Sequence, residues 1–350
     1  RVTMMEFGVY TFGDLAGTQR GSAAAHQRLQ EIVAAARLAD QAGLQVFGIG
    51  EHHRFDYAVS APMVLLSHLA AVTRNIRLTT AVTVLSSSDP VREYEAYSTV
   101  DQLSHGRTEL LVGRGAFVES FPLFGYSLDD YEALYEEKLA LLLKIVAEGE
   151  QPLDWQGNFR SSLQQAEIIP RHLNPQPVWI AAGGTPASAL RAAKYGLGLN
   201  LAIIGSKPAA HLPFVESYYR AGEQQGFTRQ QLPLAVSGHF HVAETSQEAL
   251  KGFFPYYSHY IGNNLPAGRR GWTPDYNDYL QLTSEQGPVY AGSVQQIVDK
   301  ILRVHEMFGH RRFMAQLDIG GQPYEKVARC IELLADQVMP AVNKALGESA

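Results

Sequence analysis

The sequence predicts a (β/α)8 barrel, the TIM-barrel fold, with insertions. Eight segments typical of short buried strands alternate with segments typical of amphipathic helices, and the links between them are short. This alternation predicts a parallel sheet whose crossover connections are helices. About 250 residues suffice for such a barrel, so a chain of 350 residues leaves room for excursions from the repeat. No Gly-x-Gly-x-x-Gly pattern follows the first strand, which disfavours a dinucleotide-binding, doubly wound sheet.

The first four strand–helix units are predicted from apolar runs and the residues that end them. Residues 45–50 form a short apolar run after Gly43, as in a strand buried on both faces. The third strand is rich in β-branched Thr and Val, and Pro90 suits the first turn of the helix after it. The expected elements are strand 5–12, helix 26–42, strand 45–50, helix 62–72, strand 76–85, helix 90–105, strand 108–112 and helix 129–147.

The second half repeats the pattern and contains two excursions. The expected elements are strand 178–182, helix 186–195, strand 199–204, a helix through Val215 and Tyr219, strand 234–242, helix 293–308, strand 312–318 and helix 324–346. Residues 152–177 hold several prolines and predict a hairpin outside the repeat, and residues 252–290 are rich in Tyr, Pro, Gly and Asn. We therefore expect one barrel domain over residues 1–350, with excursions at about 152–177 and 252–290.

Composition excludes several classes of function. Hydrophobic residues make up 46% of the chain and charged residues 18%, so a sizeable core is expected. A net charge of −6 gives no general electrostatic reason to bind nucleic acid. No stretch approaches the roughly 18–20 uncharged apolar residues that cross a bilayer. The lone cysteine, Cys330, excludes an internal disulfide and indicates a reducing cytoplasm.

Polar residues collect where the predicted strands end, which in a barrel is the face that carries chemistry. Glu51, His52 and His53 directly follow the second strand. Taken alone, they fit a polar turn with a packed histidine better than a ligand site, and it is the motifs that follow in the chain that favour a site. Arg114 stands between two glycines after the fourth strand. Its planar guanidinium suits a phosphate or the polar edge of a flavin, and the simpler alternative is a surface salt bridge.

The turn after the fifth strand reads Gly183-Gly184-Thr185-Pro186. Two glycines let a backbone approach a ligand closely, and Pro186 suits the first turn of the following helix. The amides at that helix start form a ready phosphate site. A plain tight turn that needs glycine remains the alternative.

The histidines suggest a rival function, a metal-dependent hydrolase on the same barrel. His239 and His241 lie on one face of the seventh strand because one residue separates them. However, no bridging Lys and no further His ends strands four to six. We therefore predict no metal site.

With these motifs in place, the chain resembles the bacterial luciferase-like, flavin-dependent monooxygenases. The matching segments are residues 47–53, 80–91, 102–107, 111–115, 179–186, 201–205 and 316–321. Each motif is short, but the set runs in order over nearly the whole chain. The resemblance implies a barrel that binds FMN at its carboxyl-end face, usually as a homodimer, and oxidises a small organic substrate with O2.

Carried over by position, the resemblance implies a non-prolyl cis peptide between Ala81 and Val82, next to the flavin ring. It implies that Arg114 and the turn of Gly183, Gly184 and Thr185 hold the flavin phosphate region, with Gly205 a further cofactor contact. His52 matches the family's histidine for oxygen chemistry, and an ordinary histidine pKa near 6.5 suits proton transfer. Gly183 and Gly184 replace an acidic and a hydroxyl residue of the light-producing luciferases, so light emission is not implied.

The sequence therefore predicts an FMN-dependent monooxygenase, with reduced FMN supplied by a separate flavin reductase because a nicotinamide fingerprint is lacking. Three alternatives remain open at this point. They are a deazaflavin-dependent oxidoreductase on the same fold, a metal-dependent barrel hydrolase and a non-catalytic flavin-binding protein. The substrate is not specified by any motif.

Overall fold

The computed structural model describes residues 4–15, 20–115, 117–264 and 272–348. Within these ranges, eight parallel strands close into a barrel with helices between them, which confirms the predicted (β/α)8 fold. The strands are β1 (Glu6–Thr11), β2 (Val46–Ile49), β3 (Arg77–Thr80), β4 (Thr83–Val84), β5 (Thr108–Gly113), β6 (Leu153–Trp155), β7 (Leu163–Ala166), β8 (Val178–Ala182), β9 (Gly198–Ala202), β10 (Leu234–Ala243), β11 (Tyr290–Ser293) and β12 (Arg312–Gln316).

The barrel runs in the order β1, β2, β3, β5, β8, β9, β10 and β12, and β12 pairs with β1 to close it. The third predicted strand is divided in two. β3 and β4 are separated by Ala81 and Val82, whose peptide bond is cis, as the resemblance implies. β4 nevertheless pairs with β5 in parallel, so the chain keeps its direction across the break.

Helices cover the outside of the barrel, and most lie at the predicted places, but the helices over residues 120–124, 246–263 and 276–282 were not predicted. They are α1 (Ser22–Ala42), α2 (Pro62–Val72), α3 (Pro90–Leu103), α4 (Ser120–Phe124), α5 (Tyr131–Glu148), α6 (Pro186–Lys194), α7 (Leu212–Gln224), α8 (Ser246–Asn263), α9 (Tyr276–Leu282), α10 (Val294–Phe308), α11 (Tyr324–Leu333) and α12 (Met339–Glu348). A π-helical turn over Leu334–Val338 joins the last two into the single closing helix that the sequence predicts. Among the described residues, no helix is long and apolar enough to cross a membrane.

The first excursion contains an antiparallel hairpin of β6 and β7. A buried carboxylate connects the end of this excursion to the barrel. Asp101 accepts hydrogen bonds from the backbone amides of Leu173 and Asn174, at 2.6 and 2.8 Å, and from the amide of Thr108 at the start of β5, at 3.0 Å.

The second excursion is largely helical. Residue 252 lies inside α8, which starts at Ser246, and α9 follows later in the segment. Residues 265–271 of this predicted excursion lie outside the described residues. Tyr290 opens β11, which pairs with residues 240–243 of β10, beyond the part of β10 that belongs to the barrel.

Charged side chains fill the amino end of the barrel interior. Arg312, at the start of β12, donates two hydrogen bonds to Glu109 of β5, at 2.7 and 2.9 Å. Arg77 of β3 lies 3.3 Å from the same carboxylate, and Glu6 of β1 accepts from Arg312 at 3.2 Å. The guanidinium of Arg312 also lies 4.3 Å from the centre of the Trp179 ring. This network occupies the end opposite the polar loops.

Candidate functional site

Two adjoining cavities open at the carboxyl end of the barrel. The inner cavity has a volume of about 350 Å³ and extends into the barrel, and the outer cavity, of about 460 Å³, lies among the loops. Seven residues line both cavities and so mark the place where they meet: Phe12, Ala81, Val82, Phe117, Ala181, Ala202 and Ile204. The cis peptide therefore lies where the two cavities meet.

The structure brings the sequence-predicted site residues together around the outer cavity. Its lining includes His52, Ala81, Val82, Arg114, Gly183 and Gly205. The other two predicted residues, Gly184 and Thr185, contact residues of this lining. Thr185 Oγ1 accepts a hydrogen bond from Arg114 at 3.4 Å, and Gly184 packs against His211, which also lines the cavity.

The turn after β8 has the backbone that an anion site needs. Gly184 has a φ of +112°, and a Cβ atom there would lie 3.1 Å from the His211 ring, so both conformation and space favour glycine. Thr185 precedes α6, and its hydroxyl bonds with Ser188 at 3.1 Å rather than capping the helix. Pro186 has no amide hydrogen and the amide of Ser188 donates to the Thr185 carbonyl at 3.0 Å, so an anion would bind the amides of the 183–185 turn rather than those of the first helical turn.

Arg114 both lines the proposed anion site and forms a salt bridge, the two roles that the sequence left open. Its guanidinium lies 5.6 Å from the centre of the Tyr131 ring and contributes to the cavity lining. One of its nitrogens also donates to Glu132 in the first turn of α5. The residue is therefore placed for an anion, while its charge is paired with a carboxylate.

His52 is held in a cage of three aromatic rings. The ring centres of Phe12, Tyr57 and Phe117 lie 4.7, 4.4 and 4.6 Å from that of the imidazole. Burial lowers the pKa of His52 to about 3, and the nearby charge of Arg54 acts in the same direction. His52 therefore differs from an ordinary histidine, whose pKa is near 6.5, because this imidazole is removed from water and remains neutral at neutral pH. Its Nε2 atom is buried and has no hydrogen-bond partner in the described part of the chain.

The other two residues of the Glu-His-His motif form a pair that the sequence-based site assignment omitted. Glu51 Oε2 lies 2.7 Å from His53 Nε2, and Glu51 Oε1 accepts from the amide of Val84 at 3.2 Å. Both Glu51 and His53 line the outer cavity. The motif placed them at the strand end, but only the fold shows which histidine the carboxylate orients. Nearby, burial raises the pKa of Glu93 to about 7, and the charge of Glu51 adds to this effect.

Ser206 and His211 also line the outer cavity. They follow β9 and are joined by a hydrogen bond of 2.7 Å between Ser206 Oγ and His211 Nε2. Burial lowers the pKa of His211 below its ordinary value. No motif marked His211, because it belongs to a short turn before α7 and not to a strand end.

The inner cavity is mainly apolar. Leu111, Trp179 and Met314 line it, together with the polar residues Asn200, Ser237, His239 and Gln316. Burial lowers the pKa of His239 to about 4, and a hydrogen bond with Gln316 opposes this effect.

His239 and His241 both pack against α8. The His239 ring lies against those of Tyr257 and Tyr260, and His241 stacks on Phe253 with the ring centres 5.0 Å apart. Among the described residues, no group of three or more His, Cys, Asp or Glu side chains is arranged to hold a metal ion.

Comparison with known sequences gives a family match over most of the chain. The model of the luciferase-like monooxygenases matches residues 5–311. N-acetyl-S-alkylcysteine monooxygenase of Bacillus subtilis is 25% identical, over 89% of this chain and 93% of that protein. The oxygenase component of the flavin-dependent trigonelline monooxygenase of Acinetobacter baylyi is 21% identical, over 91% of each chain.

Solved structures show the same fold. The monooxygenase RslO1 of Streptomyces bottropensis superposes with a TM-score of 0.84 at 24% identity, over 96% of this chain and 99% of that one. The oxygenating constituent of 3,6-diketocamphane monooxygenase from Pseudomonas putida, solved with FMN, has a TM-score of 0.77 at 20% identity, over 96% and 98%. An F420-dependent secondary alcohol dehydrogenase has a TM-score of 0.73 at 16% identity, over 97% and 99%.

Proposed function

Because this chain belongs to the luciferase-like monooxygenase family, we propose that it is an FMN-dependent monooxygenase that oxidises a small organic substrate with O2. The observation that carries the proposal is the gathering of the predicted flavin residues at one cavity mouth. A separate flavin reductase would supply the reduced FMN. The trigonelline relative, which is named as an oxygenase component, supports this arrangement.

The residues present fit FMN. Arg114, the amides of the 183–185 turn and the Ser206–His211 pair would hold its phosphate, since they surround one end of the outer cavity. The ring would lie beside Ala81 and Val82, where the two cavities meet. When bound, reduced flavin supplies the electrons that activate O2.

The chain's own part is to exclude water, position the reactants and handle protons. The aromatic residues around His52 keep water from its imidazole, which lies at the cavity wall as a neutral group. We propose His52 as the catalytic residue on this basis. A neutral imidazole donates a proton only as a weak acid, so hydrogen bonding to the reacting oxygen is its simplest role.

A charge placed in the turn after β8 tests the cofactor site. Gly184→Asp puts a carboxylate beside the proposed phosphate, whereas Gly184→Asn adds a side chain of nearly the same size without charge. We expect reduced-FMN affinity in an anaerobic titration to fall much further for Asp than for Asn. Equal affinities in the two variants would show that the phosphate binds elsewhere.

A deazaflavin-dependent oxidoreductase is the second candidate, because an F420-dependent enzyme is among the structural neighbours. Anaerobic titration with FMN, reduced FMN and deazaflavin separates the two candidates. Binding of reduced FMN, followed by O2-dependent product formation, supports the monooxygenase. Tight binding of deazaflavin alone favours the second candidate.

We further propose that one barrel domain spans the chain and assembles as a homodimer through α2 and α3. Val64 of α2 and Leu103 of α3 are apolar yet 74% and 60% exposed. A homodimer interface over these two helices would remove both side chains from water. We place the protein in the cytoplasm, where its single cysteine, the buried Cys330, stays reduced.

A further inference from the structure

A carboxylate, that of Glu132, lies in contact with Arg114 of the proposed phosphate site. We propose that Glu132 is a built-in competitor of the flavin phosphate, which holds the Arg114 guanidinium in the ligand-free protein and weakens cofactor binding. This inference rests on the proposed FMN function and identifies a residue that sets the affinity of the same site.

Glu132 lies between two arginines. One of its carboxylate oxygens accepts a hydrogen bond from Arg114 Nη1, and the other lies 3.8 Å from Arg191 Nη2. Arg191 is buried on α6, the helix that begins directly after the proposed phosphate turn. The carboxylate thus interacts with positive charge from two elements that border the phosphate site.

Glu132 and the proposed phosphate would compete for the same guanidinium, that of Arg114. Its Nη2 atom reaches Thr185 Oγ1 at 3.4 Å, so the same guanidinium contacts the phosphate turn and Glu132. A planar guanidinium binds a phosphate best with both nitrogens directed to the anion. While Glu132 holds Nη1, only part of that donor set is free.

The ion pair is weak enough to be displaced. The side chain of Glu132 is 57% exposed and that of Arg114 24% exposed. Exposed ion pairs change an equilibrium by only about fivefold or less, because water and salt screen the attraction. A phosphate dianion carries more charge than one carboxylate and also gains the backbone amides of the turn, so it can replace Glu132 on Arg114.

Glu132 also has a structural role available, since it lies in the first turn of α5, where a negative charge is favourable. That role predicts no change in phosphate affinity when the charge is removed. The competitor role predicts a gain. Glu136 provides a matched control, because it is exposed one turn further along α5 and bonds to Arg191 at 2.7 Å rather than to Arg114.

The experiment measures binding of FMN, riboflavin and inorganic phosphate to wild type, Glu132→Gln and Glu136→Gln. We expect Glu132→Gln to bind FMN and phosphate about tenfold more tightly, because Arg114 is freed and one like charge is removed. Riboflavin, which lacks the phosphate, should bind all three proteins equally. Glu136→Gln should stay within about twofold of wild type, and the gain should shrink in high salt.

Arg114→Gln separates failure of the inference from failure of the proposed function. If Arg114→Gln weakens FMN binding but Glu132→Gln leaves it unchanged or weakens it, Glu132 only positions the arginine and the competitor role is wrong. If Arg114→Gln leaves FMN binding unchanged, both the phosphate site and the competitor role are wrong. An equal gain for FMN and riboflavin would also overturn the inference, because the effect would not concern the phosphate.

Discussion

The ion pair at the amino end of the barrel gives a prediction whose size follows from the structure. Glu109 and Arg312 are 4% and 6% exposed and share two hydrogen bonds of 2.7 and 2.9 Å. Glu109→Ala leaves the Arg312 charge buried, with the partly exposed Glu6 as its nearest remaining partner at 3.2 Å. Removing one partner of a buried pair costs about 3–5 kcal/mol, and we expect about 3 because Glu6 compensates in part.

The lower unfolding free energy of Glu109→Ala can be measured as a lower Tm. An unfolding entropy of about 2.1 cal/mol/K per residue gives roughly 0.7 kcal/mol/K for this chain, so about 3 kcal/mol lowers Tm by about 4 °C. Glu6→Ala serves as the control, because it removes the more exposed carboxylate of the same network, and it should lower Tm by no more than about 1 °C.

The double variant Glu109→Met/Arg312→Met tests whether charge pairing is the cause. Removing both charges leaves no unpaired ion, so we expect the double variant to recover most of the stability that Glu109→Ala loses. If the double variant is as unstable as the sum of its two single variants, the residues act through packing alone. A Glu109→Ala protein within about 1 °C of wild type would also refute the reasoning.

Three further predictions concern the site, the pH response and assembly. His52→Ala should keep FMN affinity, since the proposed phosphate contacts lie on other strands. It should lower the ratio of oxygenated product to free hydrogen peroxide by about 10²–10³-fold, the usual effect of removing one hydrogen-bond donor to a reacting oxygen, and an unchanged ratio would rule out a catalytic role. Burial lowers the pKa of His310 to about 3, below about 6.5 in the unfolded chain, so stability is lost as the pH falls through this window. When the pH is lowered from about 7.5 to about 5, the unfolding free energy of wild type should fall by about 2 kcal/mol more than that of His310→Leu, which lacks the imidazole. An equal fall in the two proteins would show that His310 is not the buried neutral histidine responsible. Val64→Glu should convert a homodimer to a species near 38.5 kDa in light scattering, and a wild type of that mass would remove the dimer proposal.

The strands and helices were predictable because their signals are local. Continuous apolar runs indicate strands buried on both faces, and β1, β2 and β8 lie within one or two residues of their predicted bounds. The turn chemistry at Gly184 was predictable for the same reason, since a positive φ favours glycine. The cis bond between β3 and β4 was implied only by the family resemblance, and the break in the strand was not predicted, because nothing in an apolar, β-branched run indicates either.

The sequence by itself determined the barrel and the face on which its polar residues collect, because the ends of parallel strands converge wherever the sheet closes. The tertiary structure decided the protonation and the ion pairing of the groups on that face, because both depend on contacts between residues far apart in the chain. Phe12 and Phe117 come from other strand ends to surround His52, and burial among them makes its imidazole neutral. Glu132 reaches Arg114 from the start of α5, and no spacing in the sequence indicates that a carboxylate holds this guanidinium.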